Sequence, residues 1–199
     1  PEERSGHRAV SVQDKLYVMG GWNAMMQFDD MFILDTATCV WSQPASACGP
    51  ESWGPPRWNF SAVSIFAVPY YKIFVFGGNS GDLEDGKPQG TYLNDVQVLE
   101  CLPEDPSWTH PDTVGTLPSP RADTEAVYFE DSGKLVIFGG WANRWYGDLQ
   151  TCKVDDVVGP PYNVNEIESF EWSSAIGPVT GNSKFTIKGE GFSAVNGGA

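Results

Sequence analysis

Lys15-Leu16-Tyr17-Val18-Met19-Gly20-Gly21 is a stretch whose pattern returns twice along the chain. The copies are Lys72-Ile73-Phe74-Val75-Phe76-Gly77-Gly78 and Lys134-Leu135-Val136-Ile137-Phe138-Gly139-Gly140. In each copy a lysine opens a run of apolar residues rich in strand formers, and two glycines end it. One copy would predict an ordinary buried strand, whereas three copies predict a repeated β-structure.

Each copy is the second strand of a predicted four-stranded unit. In the first unit, residues 9–12 alternate in polarity and lead through a Gln13-Asp14 turn into the repeated stretch. Residues 30–35 predict a third strand and Val40-Trp41 a short fourth. Four antiparallel strands in about 40 residues is the size of one blade of a β-propeller.

The second and third units repeat this order with changes in length. The third unit lacks a fourth-strand tryptophan before Gly159. Because the loops vary while the strands keep their order, the pattern is typical of stacked repeats. The predicted strands are 60–68, 72–78, 94–99 and one at Trp108 in the second unit, and 124–129, 134–140 and 147–151 in the third.

These residues resemble the kelch repeat, which has an early arginine, a strand that ends in Gly-Gly, and a later tryptophan. The resemblance implies an all-β fold of kelch-type propeller blades over residues 1–158. Propellers close with about 4 to 8 blades, so we expect further blades outside this sequence or partner chains that complete the ring. The residues that match, besides the glycine pairs, are Arg4, Arg57, Arg121, Trp41 and Trp108.

Two interpretations stay open for the matched side chains. The arginines are expected to donate hydrogen bonds from blade to blade, with a ligand-binding ring as the alternative. The tryptophans are expected to pack between blades, with stacking platforms for a ligand as the alternative.

The composition limits the classes of partner. The chain has 199 residues, 41% of them hydrophobic, and 26 acidic residues against 12 basic ones give a net charge of −14. This charge would repel nucleic acid and an anionic membrane surface. Four cysteines without a Cys-x-x-Cys pair predict reduced thiols and a cytoplasmic location.

Residues 159–199 differ from the repeats. Two alternating segments, residues 165–172 and 184–192, flank a Gly177-Pro178-Val179-Thr180-Gly181 turn. They resemble the start of an immunoglobulin-like β-sandwich of the IPT/TIG type, and we expect the chain to stop within that domain because about 100 residues are needed. The order of kelch blades and such a module resembles the N-terminal tail of outer-arm axonemal dynein α heavy chains.

That resemblance implies a non-catalytic scaffold for protein-protein interaction, with any motor ATPase outside this segment. The implied partners are other protein subunits, such as dynein heavy or intermediate chains and axonemal docking proteins. The implied location is the axoneme of a cilium or flagellum. We predict no catalytic residue, metal site or cofactor, since motifs for nucleotide binding, nucleophilic catalysis and zinc binding are missing from the sequence.

Two other functions are compatible with a kelch propeller. A copper-radical oxidase similar to galactose oxidase needs two histidines, two tyrosines and a crosslinked cysteine, and this chain has only His7 and His110. An extracellular carbohydrate-binding propeller is the other alternative, and reduced cysteines would argue against it.

The predicted functional surface consists of the loops that follow the glycine pairs. These loops lie on one face of a propeller, and in the first and third units they are rich in residue types enriched at protein interfaces. Some of these side chains could instead anchor their own loops. The candidate interface residues are Trp22, Met25, Met26, Phe28, Trp141, Arg144, Trp145 and Tyr146.

Overall fold

The structure is a computed structural model that describes residues 1–23, 25–67, 69–81, 83–84, 87–88, 91–154, 169–172 and 185–188. The chain divides into two compact units, Pro1–Gly159 and Pro160–Ala199. Across these described ranges there is no helix long and apolar enough to cross a membrane.

Blade 1 is a four-stranded antiparallel sheet. Its strands are β1 (Arg8–Val12), β2 (Lys15–Met19), β3 (Met31–Asp35) and β4 (Val40–Ser42), paired in chain order. The predicted Gln13-Asp14 turn joins β1 and β2, which are in register from Arg8 opposite Met19 to Val12 opposite Lys15. The sequence prediction for this blade is confirmed to within one or two residues at each strand.

Blade 2 has the same order and a longer connection between the second and third strands of its sheet. A 3₁₀ turn (Ala45–Ala47) and a one-turn helix, α1 (Pro50–Trp53), lead into it. Its sheet is ordered β5-β6-β9-β10, and a small β7-β8 hairpin lies in the connection between β6 and β9. The strands are β5 (Ser61–Ala67), β6 (Tyr70–Asn79), β7 (Leu83–Glu84), β8 (Lys87–Pro88), β9 (Tyr92–Glu100) and β10 (Ser107–Thr109).

Blade 3 has three strands, β11 (Glu125–Phe129), β12 (Lys134–Phe138) and β13 (Leu149–Lys153). A 3₁₀ turn (Glu130–Ser132) connects the first two and ends at Gly133, whose φ of 60° is in the left-handed region. No fourth strand pairs with β13 in the part of the chain that the structure describes. The residues that directly follow Val154, where a fourth strand would be expected, lie outside the described residues.

The core lies between the faces of consecutive blades. One cluster joins blade 1 to blade 2 and includes Tyr17, Met19, Ile73 and Val75. A second, smaller cluster joins blade 2 to blade 3. It consists of Ile65, Phe74, Val98, Leu135 and Val154. Side chains alternate between the two faces of a strand, so β6 contributes to both clusters.

The glycine pairs join consecutive blades through the backbone. Gly21 N donates to Arg57 O at 2.8 Å, and Gly78 N donates to Arg121 O at 3.0 Å. Gly77 adopts a φ of 64°, and a Cβ there would lie 2.7 Å from Arg121 O. Only glycine permits this close approach of one blade to the next.

The second unit contributes β14 (Ser169–Trp172) and β15 (Phe185–Lys188), which pair in antiparallel register. The other residues of the predicted IPT/TIG module lie outside the described residues. The immunoglobulin-like module therefore remains a prediction.

Candidate protein-interaction face

A buried arginine precedes the first strand of each blade and forms hydrogen bonds within that blade. Arg57 donates to Gly77 O at 3.2 Å and to both carboxylate oxygens of Asp95 at 2.9 Å. Its side chain has no exposed surface. The same arrangement joins Arg4 to Gly20 O and Asp30, and Arg121 to Gly139 O and Asp148.

The prediction that these arginines donate from blade to blade was wrong. Each guanidinium bonds the glycine carbonyl and the aspartate of its own blade. The link between blades uses the backbone carbonyl of the arginine instead, as at Arg57 O and Arg121 O. A planar guanidinium matches a carboxylate with two parallel bonds, so it binds the aspartate that lies within the third strand (Asp95) or just before it (Asp30 and Asp148).

Asp95 and Asp148 stay ionised beside their arginines. Hydrogen bonds from Arg121, and then from Gln150, hold the pKa of Asp148 far below its usual range. At Asp95, burial raises the pKa, but the hydrogen bonds and charge of Arg57 outweigh it and the pKa lies below its usual value. These carboxylates therefore serve the blade framework rather than proton transfer.

Two of the candidate interface residues are anchors beneath the loops. Phe28 is 4% exposed, and its ring centroid lies 4.0 Å from the guanidinium carbon of Arg4. Half-buried Tyr146 lies 3.9 Å from Arg121 in the same way. Both are cation-π contacts that fix a loop onto its blade, so Phe28 in particular is not displayed to a partner.

The loops of blades 1 and 3 share one backbone geometry. The backbone of Trp22 forms isolated antiparallel β-bridges with Ser5 and Gln27. The backbone of Trp141 forms the same kind of bridge with Ala122 and Trp145. Phe28 N donates to Gly21 O at 2.8 Å, as Tyr146 N does to Gly140 O at 2.9 Å. The two loops are thus equivalent parts of their blades.

The half-buried tryptophans support the loops by aromatic contacts. Trp22 lies 5.5 Å from Trp58 between ring centroids, and Trp141 lies 4.7 Å from Trp145. Gln27 Nε2 donates to Gly81 O, which connects the loop of blade 1 to that of blade 2. The structure therefore places the loops of blades 1 and 2 side by side.

The loop tips present the remaining candidates to solvent. Met25 is 89% exposed, Trp145 is 79% exposed, and Met26 and Arg144 are exposed as well. Asn23 Oδ1 accepts hydrogen bonds from the backbone N–H groups of Met25 and Met26, both at 2.9 Å, and so orders the tip. Large apolar side chains held outward on ordered loops are typical of an interaction site.

Comparison with known proteins agrees with this geometry. Residues 1–158 match the KLHDC2/KLHL20/DRC7 Kelch-repeats domain. The chain belongs to the kelch-repeat family. The predicted kelch resemblance is therefore confirmed.

The relatives of these kelch blades are parts of much larger proteins. The chain is 35% identical over 177 residues to the dynein alpha chain of the flagellar outer arm from Chlamydomonas reinhardtii, covering 88% of this chain and 4% of that protein. It is 26% identical over 244 residues to human host cell factor 1, covering 95% of this chain and 12% of that protein. The chain thus spans only a small part of each.

A solved structure shares the kelch fold. The structure of YjhT aligns with a TM-score of 0.56 and 17% identity, covering 77% of this chain and 44% of that one. Together with the all-β sheets described above, this likeness confirms the predicted fold class.

The two histidines considered for the copper alternative differ in their hydrogen bonding. His110 Nδ1 bonds Gln97 Oε1, and His7 Nδ1 is buried without a hydrogen-bond partner. No group of three or more histidine, cysteine or acidic side chains is placed to hold a metal in the described ranges. All four cysteines are free thiols.

Sequence reasoning missed one structural aromatic. Trp53, on α1, is fully buried, stacks on Trp108 at 5.0 Å and donates from Nε1 to Asp29 O. Trp108 itself packs against the core cluster of blades 1 and 2, as its kelch position predicted. A tryptophan four residues before the blade arginine was the available signal.

Proposed function

We propose that this segment is a non-catalytic scaffold whose post-glycine loops bind another protein subunit in a larger assembly. The observation that carries the proposal is the outward display of Met25 and Trp145 on loops whose other aromatics are anchored. Methionine and tryptophan can bury a large area against a partner. Arg144 adds a positive charge to the loop of blade 3 that carries Trp145.

We infer further that the parent protein is an axonemal dynein heavy chain, with this segment in its tail. The match to the dynein alpha chain of the flagellar outer arm supports this assignment. Partners of matching class are dynein heavy or intermediate chains and axonemal docking proteins, at the axoneme of a cilium or flagellum.

The test is a binding measurement with purified subunits of outer-arm dynein. We expect the triple variant Met25→Ser/Met26→Ser/Trp145→Ser to weaken binding about tenfold or more, because exposed aromatic and methionine anchors dominate interfaces. A control variant, Val40→Ser/Phe66→Ser/Val127→Ser, removes exposed apolar side chains outside these loops and should change affinity about twofold or less.

Two results would contradict the proposal in different ways. Equal binding by the loop variant and the control would reject the loop face. Failure of the unmodified chain to bind any outer-arm subunit would reject the dynein assignment.

A further inference from the structure

A groove lies between blades 1 and 2, at the end of the strands opposite the post-glycine loops. β2 begins at Lys15 and reaches its glycine pair only after Met19, so Lys15 is at the far end of blade 1 from those loops. The groove has a volume of about 300 Å³ and is lined by residues of β2, β3 and β4 and by the connection from β9 to β10. All residues that line it, with their neighbours along the chain, lie in the described ranges.

The floor of the groove is apolar. Tyr17 is 3% exposed and Ile33 is 8% exposed, and the two lie opposite each other in β2 and β3. Burial, together with a hydrogen bond to Cys101, raises the pKa of Tyr17 above its usual range, so Tyr17 adds no charge. Pro44 and Pro106 extend the apolar surface at the sides. An aliphatic chain can therefore be buried here.

The rim of the groove is acidic. Asp35, Glu104 and Asp105 contribute three negative charges to the lining, against one positive charge from Lys15, which leaves a net charge of −2. The whole chain carries a net charge of −14, so the wider field has the same sign. The groove therefore attracts a cation and repels an anion.

Asp35 is held in position as an acceptor. Thr38 donates to Asp35 Oδ1 from both N and Oγ1, each at 2.8 Å. These hydrogen bonds hold the pKa of Asp35 below its usual value, so this carboxylate is ionised at neutral pH. An ionised carboxylate has about four acceptor sites, so others remain for a ligand. A group that is fixed before binding loses less conformational entropy when the ligand arrives.

An arginine side chain matches these features of the groove. Its methylene stem can pack on the apolar floor while the guanidinium stays at the acidic rim. The planar fork of donors can bond Asp35 on blade 1 and Glu104 on the connection from β9 to β10 together. A lysine ammonium is a compact point charge and suits such a divided set of acceptors less well.

From these observations we propose that the groove binds an arginine side chain of a partner protein. The stem packs over Tyr17 and Ile33, and the guanidinium bonds Asp35 and Glu104. Proteins enrich arginine at their interfaces, and charge complementarity selects the partner. This arginine site lies at the other end of the blades from the loop face and does not depend on it.

The probe is a capped peptide, acetyl-Gly-Gly-Arg-Gly-Gly-amide, titrated into the isotope-labelled 199-residue chain. We expect saturable shifts of the backbone amide signals of Ser42, Gln43 and Glu104 in NMR spectra. A peptide with citrulline in place of arginine has nearly the same shape without the charge. It should bind about fivefold or more weakly, because charge-assisted hydrogen bonds are the stronger kind.

Paired neutral substitutions test the two acceptors. Asp35→Asn/Glu104→Gln removes both charges while asparagine keeps an oxygen for Thr38, and it should weaken binding of the arginine peptide about tenfold. The control Glu130→Gln/Asp131→Asn removes the same charge from an exposed turn of blade 3 and should change affinity about twofold or less. Equal losses in the two variants would show only a general attraction to an acidic chain and would overturn the proposal.

Removal of the neighbouring cation tests the sign of the site. Lys15 lies opposite Asp35 in register, so Lys15→Gln should strengthen binding of the arginine peptide about threefold by removing like-charge repulsion. Weaker binding by this variant, or tighter binding of a matched glutamate peptide, would identify an anion site and reject the proposal. Absence of saturable shifts at the groove amides would reject it as well. Tighter binding of spermidine at the same amides would show that the occupant is a small polyamine rather than a protein.

Discussion

Blades 2 and 3 have nearly the same sequence pattern in different surroundings. Phe76 and Phe138 both precede a glycine pair, yet Phe76 is 4% exposed and Phe138 is 61% exposed. The difference arises because blade 3 covers one face of blade 2, whereas nothing described here covers the outer face of blade 3. Burial in this fold is therefore a property of a blade's place in the stack rather than of its own sequence.

The glycine pairs show the same contrast in the backbone. A Cβ at Gly77 would lie 2.7 Å from Arg121 O, whereas a Cβ at Gly139 would meet no atom closer than Tyr146 O at 3.6 Å. Both glycines have φ values in the left-handed region. The contact with the following blade distinguishes them most, since the backbone oxygen within each blade lies at 3.1 Å for Gly77 (Leu93 O) and at 3.6 Å for Gly139 (Tyr146 O).

The largest expected effect is a core truncation at the paired phenylalanines. Phe76→Ala should lower the free energy of unfolding by about 3–5 kcal/mol, because it empties a buried site between blades. Phe138→Ala, the matched control, should cost about 0.5 kcal/mol or less at an exposed site. Urea unfolding followed by tryptophan fluorescence measures both. Equal losses would show that Phe138 is covered in solution and would break the comparison.

A glycine substitution should have the next largest effect. Gly139→Ala should cost about 1–2 kcal/mol for an alanine in the left-handed region. Gly77→Ala carries the same cost and about 1–3 kcal/mol more for the clash with Arg121 O. The difference between the two free energies of unfolding tests whether blade 3 sits on blade 2 as described. Two equal values would contradict that close approach.

The smallest expected effect is on the acid dependence of the free energy of unfolding. Blades 2 and 3 share this feature, because each contains an arginine-aspartate ion pair. The pKa values of Asp95 and Asp148 are lowered in the folded chain, so the folded state binds fewer protons than the unfolded state in acid. Their stabilisation is complete above the unfolded value of about 3.9 and is lost as the pH falls further. Asp95→Asn and Asp148→Asn should each reduce the loss of stability as the pH falls from about 5 to about 2.

Urea midpoints of the wild type and both asparagine variants across that range provide the measurement. Asp14→Asn is a suitable control because Asp14 is exposed in a hairpin turn and forms no ion pair with any of the described residues. An acid response that is unchanged in both variants would show that these pairs do not govern it.

The sequence predicted the blades well because their signals are local. Alternation, turns and the glycine pairs gave the strands of blades 1 and 2 almost residue by residue. The strand β13 was predicted two residues early, since Gly147 and Asp148 resemble the polar start of a third strand but serve the loop and the arginine. The short helix α1 lacked a periodic signal and was not predicted.

The candidate face was predicted less well because exposure depends on distant contacts. Phe28 and Met25 belong to one loop and are both large and apolar, yet Arg4 binds the ring of Phe28 and leaves Met25 in solvent. The acceptors of the blade arginines were also mistaken, because sequence spacing gives no information about which strand lies beside a guanidinium. These outcomes are fixed by tertiary packing.

The backbone hydrogen bond between consecutive blades gives each blade a direction, with a donor on one side and an acceptor on the other. The glycine pairs of blades 1 and 2 donate forward, and the carbonyls of Arg57 and Arg121 accept from behind, so the contact is heterologous, as in a head-to-tail assembly. A duplicated blade brings both halves of this joint, so the number of blades can change in evolution without a new interface. In blade 3 the forward donor is Gly140 N–H, for which the described residues supply no acceptor.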